Sequence, residues 1–159
     1  MNKISLIKDL NLKQHIEGGY FARTYESDKY IDDHELLTSI YYMLTNDSPV
    51  GHFHKNKSDI VHYFHLGSPI KYLTISPDGV LDTFTLGHNV SIGNKLQMTV
   101  HGGYWKASFL EIGEFGLISE AVSPGFNYQD MTIAEPQLMR SQLSHVWDKI
   151  SLYVKTTSI

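Results

Sequence analysis

The chain has no cysteine among its 159 residues. Disulfide bonds, thiolate catalysis and cysteine-ligated zinc are therefore excluded, and any metal would need histidine, aspartate or glutamate ligands. Clustered positive charge is also missing, since the formal net charge is -4 at pH 7 and Lys and Arg are scattered along the chain. Because nucleic-acid phosphates are bound through such clusters, we expect no nucleic-acid partner.

Long hydrophobic runs are lacking as well. Lys8 and Asp9 interrupt the first apolar segment, and no stretch has the length of a signal peptide's apolar region or of a membrane span. The sequence therefore predicts a soluble cytoplasmic protein with no membrane partner. The hydrophobic content of 42% and charged content of 19% are typical of a globular chain. Without linkers or repeats, we expect residues 1–159 to form a single domain.

Most of the chain has the composition of short β-strands. Segments rich in Val, Ile, Thr, Tyr and Phe alternate with turns that contain Gly, Pro, Asn or Asp. This spacing is typical of an all-β sandwich or barrel. The predicted strands are Tyr20–Glu26, Leu37–Thr45, Val50–His54, Ile60–Leu66, Ile70–Ser76, Val80–Leu86, Leu96–Val100, Tyr104–Leu110 and Phe115–Val122.

Helical patterns occur only near the two ends. The segment Ser5–Asn11 predicts a short amphipathic helix with Ser5 as its N-cap. After Pro136, apolar residues recur at helical intervals, which predicts a C-terminal helix packed on the outside of the β-structure. These apolar residues are Leu138, Leu143, Val146, Trp147 and Ile150.

Two histidines, His52 and His54, are separated by one residue within a predicted strand. Side chains alternate along a strand, so both imidazoles point to the same side of the sheet. A pair facing the interior needs a metal, a hydrogen-bond partner or a polar ligand, because charged imidazoles are costly to bury. A single buried histidine is more often a structural residue of the core, but a pair at this spacing favours a functional pocket.

Five segments together resemble one family, the DUF985 (cupin_5) branch of the cupin superfamily. They are His15–Phe21 (HIEGGYF), Ser39–Leu44 (SIYYML), the first cupin motif from His54 to Gly67, Gln97–Trp105 (QMTVHGGYW) and Val122–Phe126 (VSPGF). The resemblance implies a double-stranded β-helix, or jelly roll, with a small-molecule pocket inside the barrel. It also implies a homodimer, for which the strand Tyr20–Glu26 is a candidate contact with the neighbouring subunit.

The metal site implied by the resemblance is altered in this chain. The usual cupin glutamate is replaced by Ile60, and Lys106 occupies the place of the late histidine. His62 shares a strand face with Ile60, so three inward imidazoles, His52, His54 and His62, form one candidate site for a divalent Zn, Fe, Ni or Mn ion. The alternative is a metal-free polar pocket, which Lys106 favours because an ammonium repels a metal but stabilises an anionic substrate.

Other side chains are candidates for substrate contact. Glu17 precedes two glycines that allow a sharp turn, and His101 lies in a turn at a predicted barrel rim. Aromatic residues on strands are more often core or interface residues, so each has a competing structural interpretation. The predicted substrate-binding residues are Glu17, Tyr41, His62, Gln97, Trp105 and Tyr128.

Two classes of function follow from these residues. The first is an enzyme of the epimerase or isomerase type that moves a proton next to the carbonyl of a sugar or keto-sugar. In that case His54 or His52 is the base, and Lys106 or a tyrosine stabilises the enolate oxygen. The second is a cupin that binds a small metabolite without turning it over, and a metal-dependent enzyme with the three-histidine site is a further alternative. Cofactor use stays open at this point.

Overall fold

The computed structural model describes residues 2–156. Short strands dominate, as the turn-rich composition predicts. In chain order the elements are α1 (Lys3–Asp9), β1 (Lys13–Gln14), β2 (Tyr20–Glu26), β3 (Tyr30–Ile31), β4 (His34–Glu35), β5 (Thr38–Thr45), β6 (Val50–Lys55), β7 (Asp59–Gly67), β8 (Ile70–Ile75), β9 (Leu81–Leu86), β10 (Gln97–Val100), β11 (Trp105–Phe109), β12 (Phe115–Ser123), β13 (Thr132–Ile133), α2 (Pro136–Gln142) and α3 (Trp147–Ile150).

Two antiparallel sheets face each other. The six-stranded sheet has the order β1-β2-β5-β12-β7-β10, and the five-stranded sheet has the order β13-β6-β11-β8-β9. Apolar residues from both sheets pack together between them, among them Tyr42, Ile118, Ile70 and Leu86. From β5 to β13 the chain passes back and forth between these two sheets, with β8 and β9 as the one consecutive pair in the same sheet, which gives a jelly roll. The all-β jelly roll predicted from the sequence is confirmed.

The outer face of each sheet has its own apolar cover. Leu6 of α1 packs with Met43 and Leu117 on the six-stranded sheet. On the five-stranded sheet, Met139 of α2 and Ile150 of α3 are fully buried and belong to the cluster that covers its outer face. The space between the sheets is therefore separate from both outer layers, and it contains the polar residues considered below.

The predicted strands are present with ends shifted by no more than one residue, but both helices differ from the prediction. The first helix is capped by Asn2, whose side chain accepts the Ser5 N–H at 2.9 Å, so Ser5 is the third helical residue of a capping box and not the N-cap. The single helix predicted after Pro136 is two short helices, because the chain turns between Leu143 and Val146 while both side chains stay buried. No helix within residues 2–156 is long and apolar enough to cross a membrane.

Met139 and Leu138 are neighbours on α2 with opposite environments, 0% and 43% exposed. We expect Met139→Ala to lower the free energy of unfolding by about 2–5 kcal/mol, because it leaves a cavity under the helix. Leu138→Ala is the matched control, with an expected change within about 0.5 kcal/mol. Urea unfolding followed by circular dichroism measures both, and equal costs would contradict the described packing of α2.

Candidate functional site

Four polar side chains from four strands meet between the sheets. His54 of β6 lies directly opposite Lys106 of β11, and His62 of β7 lies directly opposite Glu120 of β12. Side chains of directly opposed residues project from the same face of a sheet. All four residues are at most 6% exposed, so the two pairs share the interior. The predicted inward orientation of His54, His62 and Lys106 is what the structure shows.

The first cluster is a buried ion pair with an imidazole beside it. Lys106 Nζ donates to Glu120 Oε1 at 2.9 Å and lies 2.9 Å from His62 Nε2. Burial raises the pKa of the Glu120 carboxyl, but the opposing effect of Lys106 and His62 is stronger and the pKa falls well below its ordinary value. Burial, followed by the charge of Lys106, lowers the pKa of His62. At neutral pH the cluster is therefore an ionised Lys106–Glu120 pair next to a neutral imidazole.

The second cluster joins Glu17 and His54. Glu17 Oε2 lies 2.9 Å from His54 Nε2, and both side chains are buried. The other ring nitrogen, His54 Nδ1, lies 2.8 Å from the His52 carbonyl oxygen, which only accepts hydrogen bonds, so Nδ1 carries a proton. One further proton must then lie between Nε2 and Oε2. Burial raises the pKa of the Glu17 carboxyl, but the effect of His54 outweighs burial and the pKa is lowered.

The backbone around Glu17 is fixed against β6. The Glu17 carbonyl accepts hydrogen bonds from the His52 backbone N–H at 2.7 Å and from His52 Nδ1 at 2.8 Å. Gly18 has a φ of 107°, and a Cβ at this position would lie 2.0 Å from the Val50 carbonyl oxygen. Only glycine permits this close approach. His52 is therefore a positioning residue that holds the carboxylate of Glu17 in front of His54.

A third imidazole, His15, stands beside Glu17. Its Nδ1 accepts the Glu17 backbone N–H at 3.3 Å, and its ring packs edge-on against Phe21 at 4.6 Å between centroids. Burial lowers the pKa of His15. A neutral ring that accepts through Nδ1 carries its proton on Nε2, so His15 is a hydrogen-bond donor at this place.

These groups line a pocket of about 450 Å³, a volume that includes the part open to solvent. Its polar lining is His15, Glu17, Arg23, Thr38, His54, Asn56 and Glu120, and its apolar lining is Phe21, Ile40, Ile60, Val122, Phe126, Tyr128 and Met131.

The family to which the chain belongs follows from comparison with known proteins. The family model described as cupin superfamily (DUF985) matches residues 4–134, most of the chain. This protein is a DUF985 cupin. The resemblance carried by the five sequence segments is thereby confirmed.

Several known proteins are similar to this cupin over most of its length. The chain is 38% identical over 160 residues to the uncharacterized protein YML079W of Saccharomyces cerevisiae, covering 89% of this chain and 78% of the yeast protein. It is similar to the structure of protein SO0799 from Shewanella oneidensis, with 30% identity, a TM-score of 0.94 and 99% of each chain covered. A hypothetical protein from Leishmania major has a TM-score of 0.93 and 27% identity, with 98% of this chain and 100% of that chain covered.

A more distant likeness concerns the fold alone. Oxalate decarboxylase from Bacillus subtilis matches with a TM-score of 0.58 and 13% identity, over 92% of this chain and 37% of the decarboxylase. At this identity the shared feature is the jelly roll, and the chemistry of this cupin has to be argued from its own residues.

Only some of the predicted site residues line the pocket of this cupin. Glu17, His54 and Tyr128 line it. His52 and Lys106, predicted as catalytic, lie behind the lining, where His52 holds the Glu17 backbone and Lys106 contacts Glu120. Both are therefore positioning residues in this arrangement.

Four predicted substrate contacts lie elsewhere. His62 is inward-facing but fully buried behind Glu120. Trp105 directly precedes inward-facing Lys106 in β11, so its side chain points to the opposite face of the sheet. It packs in the outer layer under the C-terminal helices. Tyr41 packs on the outer face with α1, and Gln97 is exposed at the sheet edge formed by β10.

The predicted three-histidine metal site does not fit the arrangement of the side chains. Within residues 2–156 no three His, Asp or Glu side chains are grouped so that they could hold a metal ion. His54 Nε2 is directed at Glu17, His62 Nε2 lies next to the Lys106 ammonium, and His52 Nδ1 donates to a backbone carbonyl. A cation beside His62 opposes a second positive charge at that nitrogen.

The sequence interpretation missed five polar pocket residues, namely His15, Arg23, Thr38, Asn56 and Glu120. The orientation of Glu120 was predictable, because it lies two residues from both Ile118 and Val122 in a predicted strand and therefore shares a face with these apolar residues. Arg23 likewise lies two residues from Phe21 in β2, on the same face of the strand. Asn56 follows β6 in a loop, where no periodicity predicts its orientation.

Breaking the buried ion pair should destabilise the protein. We expect Lys106→Met to lower the free energy of unfolding by about 3–5 kcal/mol, since it leaves the Glu120 carboxylate buried without its cation. The double variant Lys106→Met/Glu120→Leu should cost less than the sum of the single changes. Lys71→Met, which breaks the exposed pair with Glu111, is the matched control, and we expect a change below about 1 kcal/mol.

Chemical unfolding at neutral pH measures the free energy of unfolding of these variants and of wild type. A Lys106→Met variant as stable as Lys71→Met would show that the buried pair is not formed. The pKa of Glu120 is lower in the folded protein, so the pair's contribution is present above the ordinary pKa of glutamate, about 4.3, and is lost as the pH falls below it.

Proposed function

We propose that this cupin is an enzyme that transfers a proton next to the carbonyl group of a sugar or keto-sugar, in a reaction of the isomerase or epimerase type. The observation that carries the proposal is the Glu17–His54 pair, in which one proton lies between a buried carboxylate and an imidazole of fixed tautomer at the wall of a pocket. Such pairs of titratable groups are typical of acid–base sites.

In this proposal Glu17 is the base. Both nitrogens of His54 are engaged within the protein, so the side chain that reaches a substrate carbon is Glu17 and not His54. The lowered pKa keeps the Glu17 carboxylate ionised at neutral pH, which is the state required to accept a proton. His54 stabilises that state, and the carbonyl of Glu17 is held by His52.

The enolate oxygen formed by this step needs a donor. His15 is neutral, carries its proton on Nε2 and lines the same pocket. A neutral imidazole suits this role because its N–H donates a hydrogen bond to the negatively charged oxygen and keeps its proton. With one base at the pocket, the proton is most simply returned to the neighbouring carbon, which favours isomerisation over inversion at a single carbon.

Hydrogen–deuterium exchange tests the proposal directly. Aldoses, ketoses, their acids and their phosphates are incubated with the protein in D₂O, and loss of the signal of the hydrogen next to the carbonyl is followed by ¹H NMR. We expect exchange with wild type, and a decrease of about 10²–10⁴-fold in Glu17→Gln and in His54→Asn. His65→Asn is the matched control, because His65 is exposed on β7, outside the pocket, and exchange should be unchanged.

Circular dichroism confirms that the variants are folded before exchange is compared. A panel member that binds without any exchange in wild type would contradict an enzymatic role and support a metabolite-binding cupin. Exchange that persists in Glu17→Gln would remove Glu17 from the chemistry.

We also propose that the protein is a homodimer formed through β2. β1 pairs only with Tyr20 and Phe21, so the edge of β2 from Ala22 to Glu26 has no strand partner on one side within residues 2–156. Open strand edges are sites for pairing with a second chain. Light scattering at micromolar concentration should give twice 18.1 kDa. Replacing Tyr25, which is exposed, by Pro should shift the mass to that of one chain, and a wild-type mass of 18.1 kDa would contradict the proposal.

A further inference from the structure

Arg23 is the charged pocket residue that has no buried partner of opposite charge within residues 2–156. Its one ion pair within residues 2–156 joins Nε to Glu26 Oε1 at 3.4 Å, and the Glu26 side chain is 59% exposed. A pair of this kind is weak in water. The guanidinium has five N–H donors, and none of them makes a hydrogen bond to the described part of the chain beyond that contact.

The other charges of the pocket are already balanced. Glu120 is paired with Lys106, and Glu17 is paired with His54. These carboxylates are 8% and 6% exposed, whereas the Arg23 side chain is 29% exposed, so Arg23 stands nearer to solvent. The pocket therefore has a neutralised floor and one available cation toward its opening.

Aromatic rings stand next to this cation. The Arg23 guanidinium carbon lies 6.0 Å from the centroid of the Phe126 ring, and Tyr128 packs edge-on against Phe126 at 4.9 Å. A guanidinium supported by a ring is oriented for a planar, bidentate contact with a carboxylate or phosphate. The same rings offer apolar faces to the C–H groups of a sugar.

A polar acceptor is also available at the pocket. Asn56 lines it, is 8% exposed, and its Oδ1 has no hydrogen-bond partner within residues 2–156. A buried acceptor without a partner is costly, and a hydroxyl donor from a ligand would satisfy it. The combination of Arg23 and Asn56 thus matches a ligand that carries both an oxyanion and hydroxyl groups.

We infer that the substrate is an anion that also carries hydroxyl groups, a sugar acid or sugar phosphate, whose oxyanion is bound by Arg23 while its carbonyl end faces Glu17. This inference rests on the proposed function for the orientation of the carbonyl, but the binding of the anion does not depend on turnover.

Binding of three probes tests the inference, namely glucuronate, glucose 6-phosphate and neutral glucose, each titrated by calorimetry. We expect one or both anions to bind, and glucose to bind at least 10-fold more weakly. Arg23→Gln should weaken anion binding by about 10- to 100-fold, the usual effect of losing a charge-assisted bidentate contact. Arg140→Gln, which changes an exposed arginine of α2, is the matched control and should bind like wild type.

A gain of affinity provides an independent check. Glu26→Gln removes the competing carboxylate from Arg23, so the anion should bind more tightly, and added salt should weaken binding to wild type. Tighter binding of glucuronate than of glucose 6-phosphate would assign the oxyanion to a carboxylate, and the reverse to a phosphate.

The outcomes separate this inference from the proposed function. Anion binding that is lost in Arg23→Gln but retained in Glu17→Gln supports the inference even if no deuterium exchange occurs. Equal binding of glucose and of the anions, undiminished anion binding in Arg23→Gln, or no binding of either anion at millimolar concentration would overturn it.

Discussion

Charge pairing inside the jelly roll is the constraint on which the site depends. A carboxylate or ammonium placed between two apolar sheets is stable only with a partner and hydrogen bonds. Here the partners come from different strands: Lys106 and Glu120 lie in opposite sheets, and Glu17 reaches His54 from a loop. The strand register sets Lys106 opposite His54 and Glu120 opposite His62, and the packing of the two sheets then brings Lys106 to Glu120.

The two clusters have different consequences for function. The Lys106–Glu120 pair has no free charge and forms the floor of the pocket together with His62. The Glu17–His54 pair lies at the wall and holds a proton between two groups that both line the pocket. Because the Lys106–Glu120 pair is already neutral, proton transfer is assigned to the Glu17–His54 pair. Recognition of a charged substrate is assigned to Arg23, which lies nearer to the solvent.

Alternation along strands made much of this arrangement predictable. Period-two reasoning put His52 and His54 on one strand face, and the family resemblance gave the position of Lys106. The period-two rule applied to β12 would also have put Glu120 on the same face as Ile118 and Val122. Trp105 was assigned to the pocket by its motif, although its neighbour Lys106 already required the opposite face. The partner of His54 could not be predicted, because the approach of the Glu17 loop depends on a tertiary contact and not on periodicity.

The tautomer of His54 tests the central claim most directly. Long-range ¹H–¹⁵N correlation spectra of ¹⁵N-labelled protein, assigned with His54→Asn, report the protonation of each ring nitrogen. We predict that Nδ1 carries a proton at neutral pH, because it faces the His52 carbonyl, and that the Nε2 signal shifts in Glu17→Gln, because it shares a proton with that carboxylate. An unprotonated Nδ1, or an Nε2 signal that does not respond to Glu17→Gln, would contradict the proposed acid–base pair.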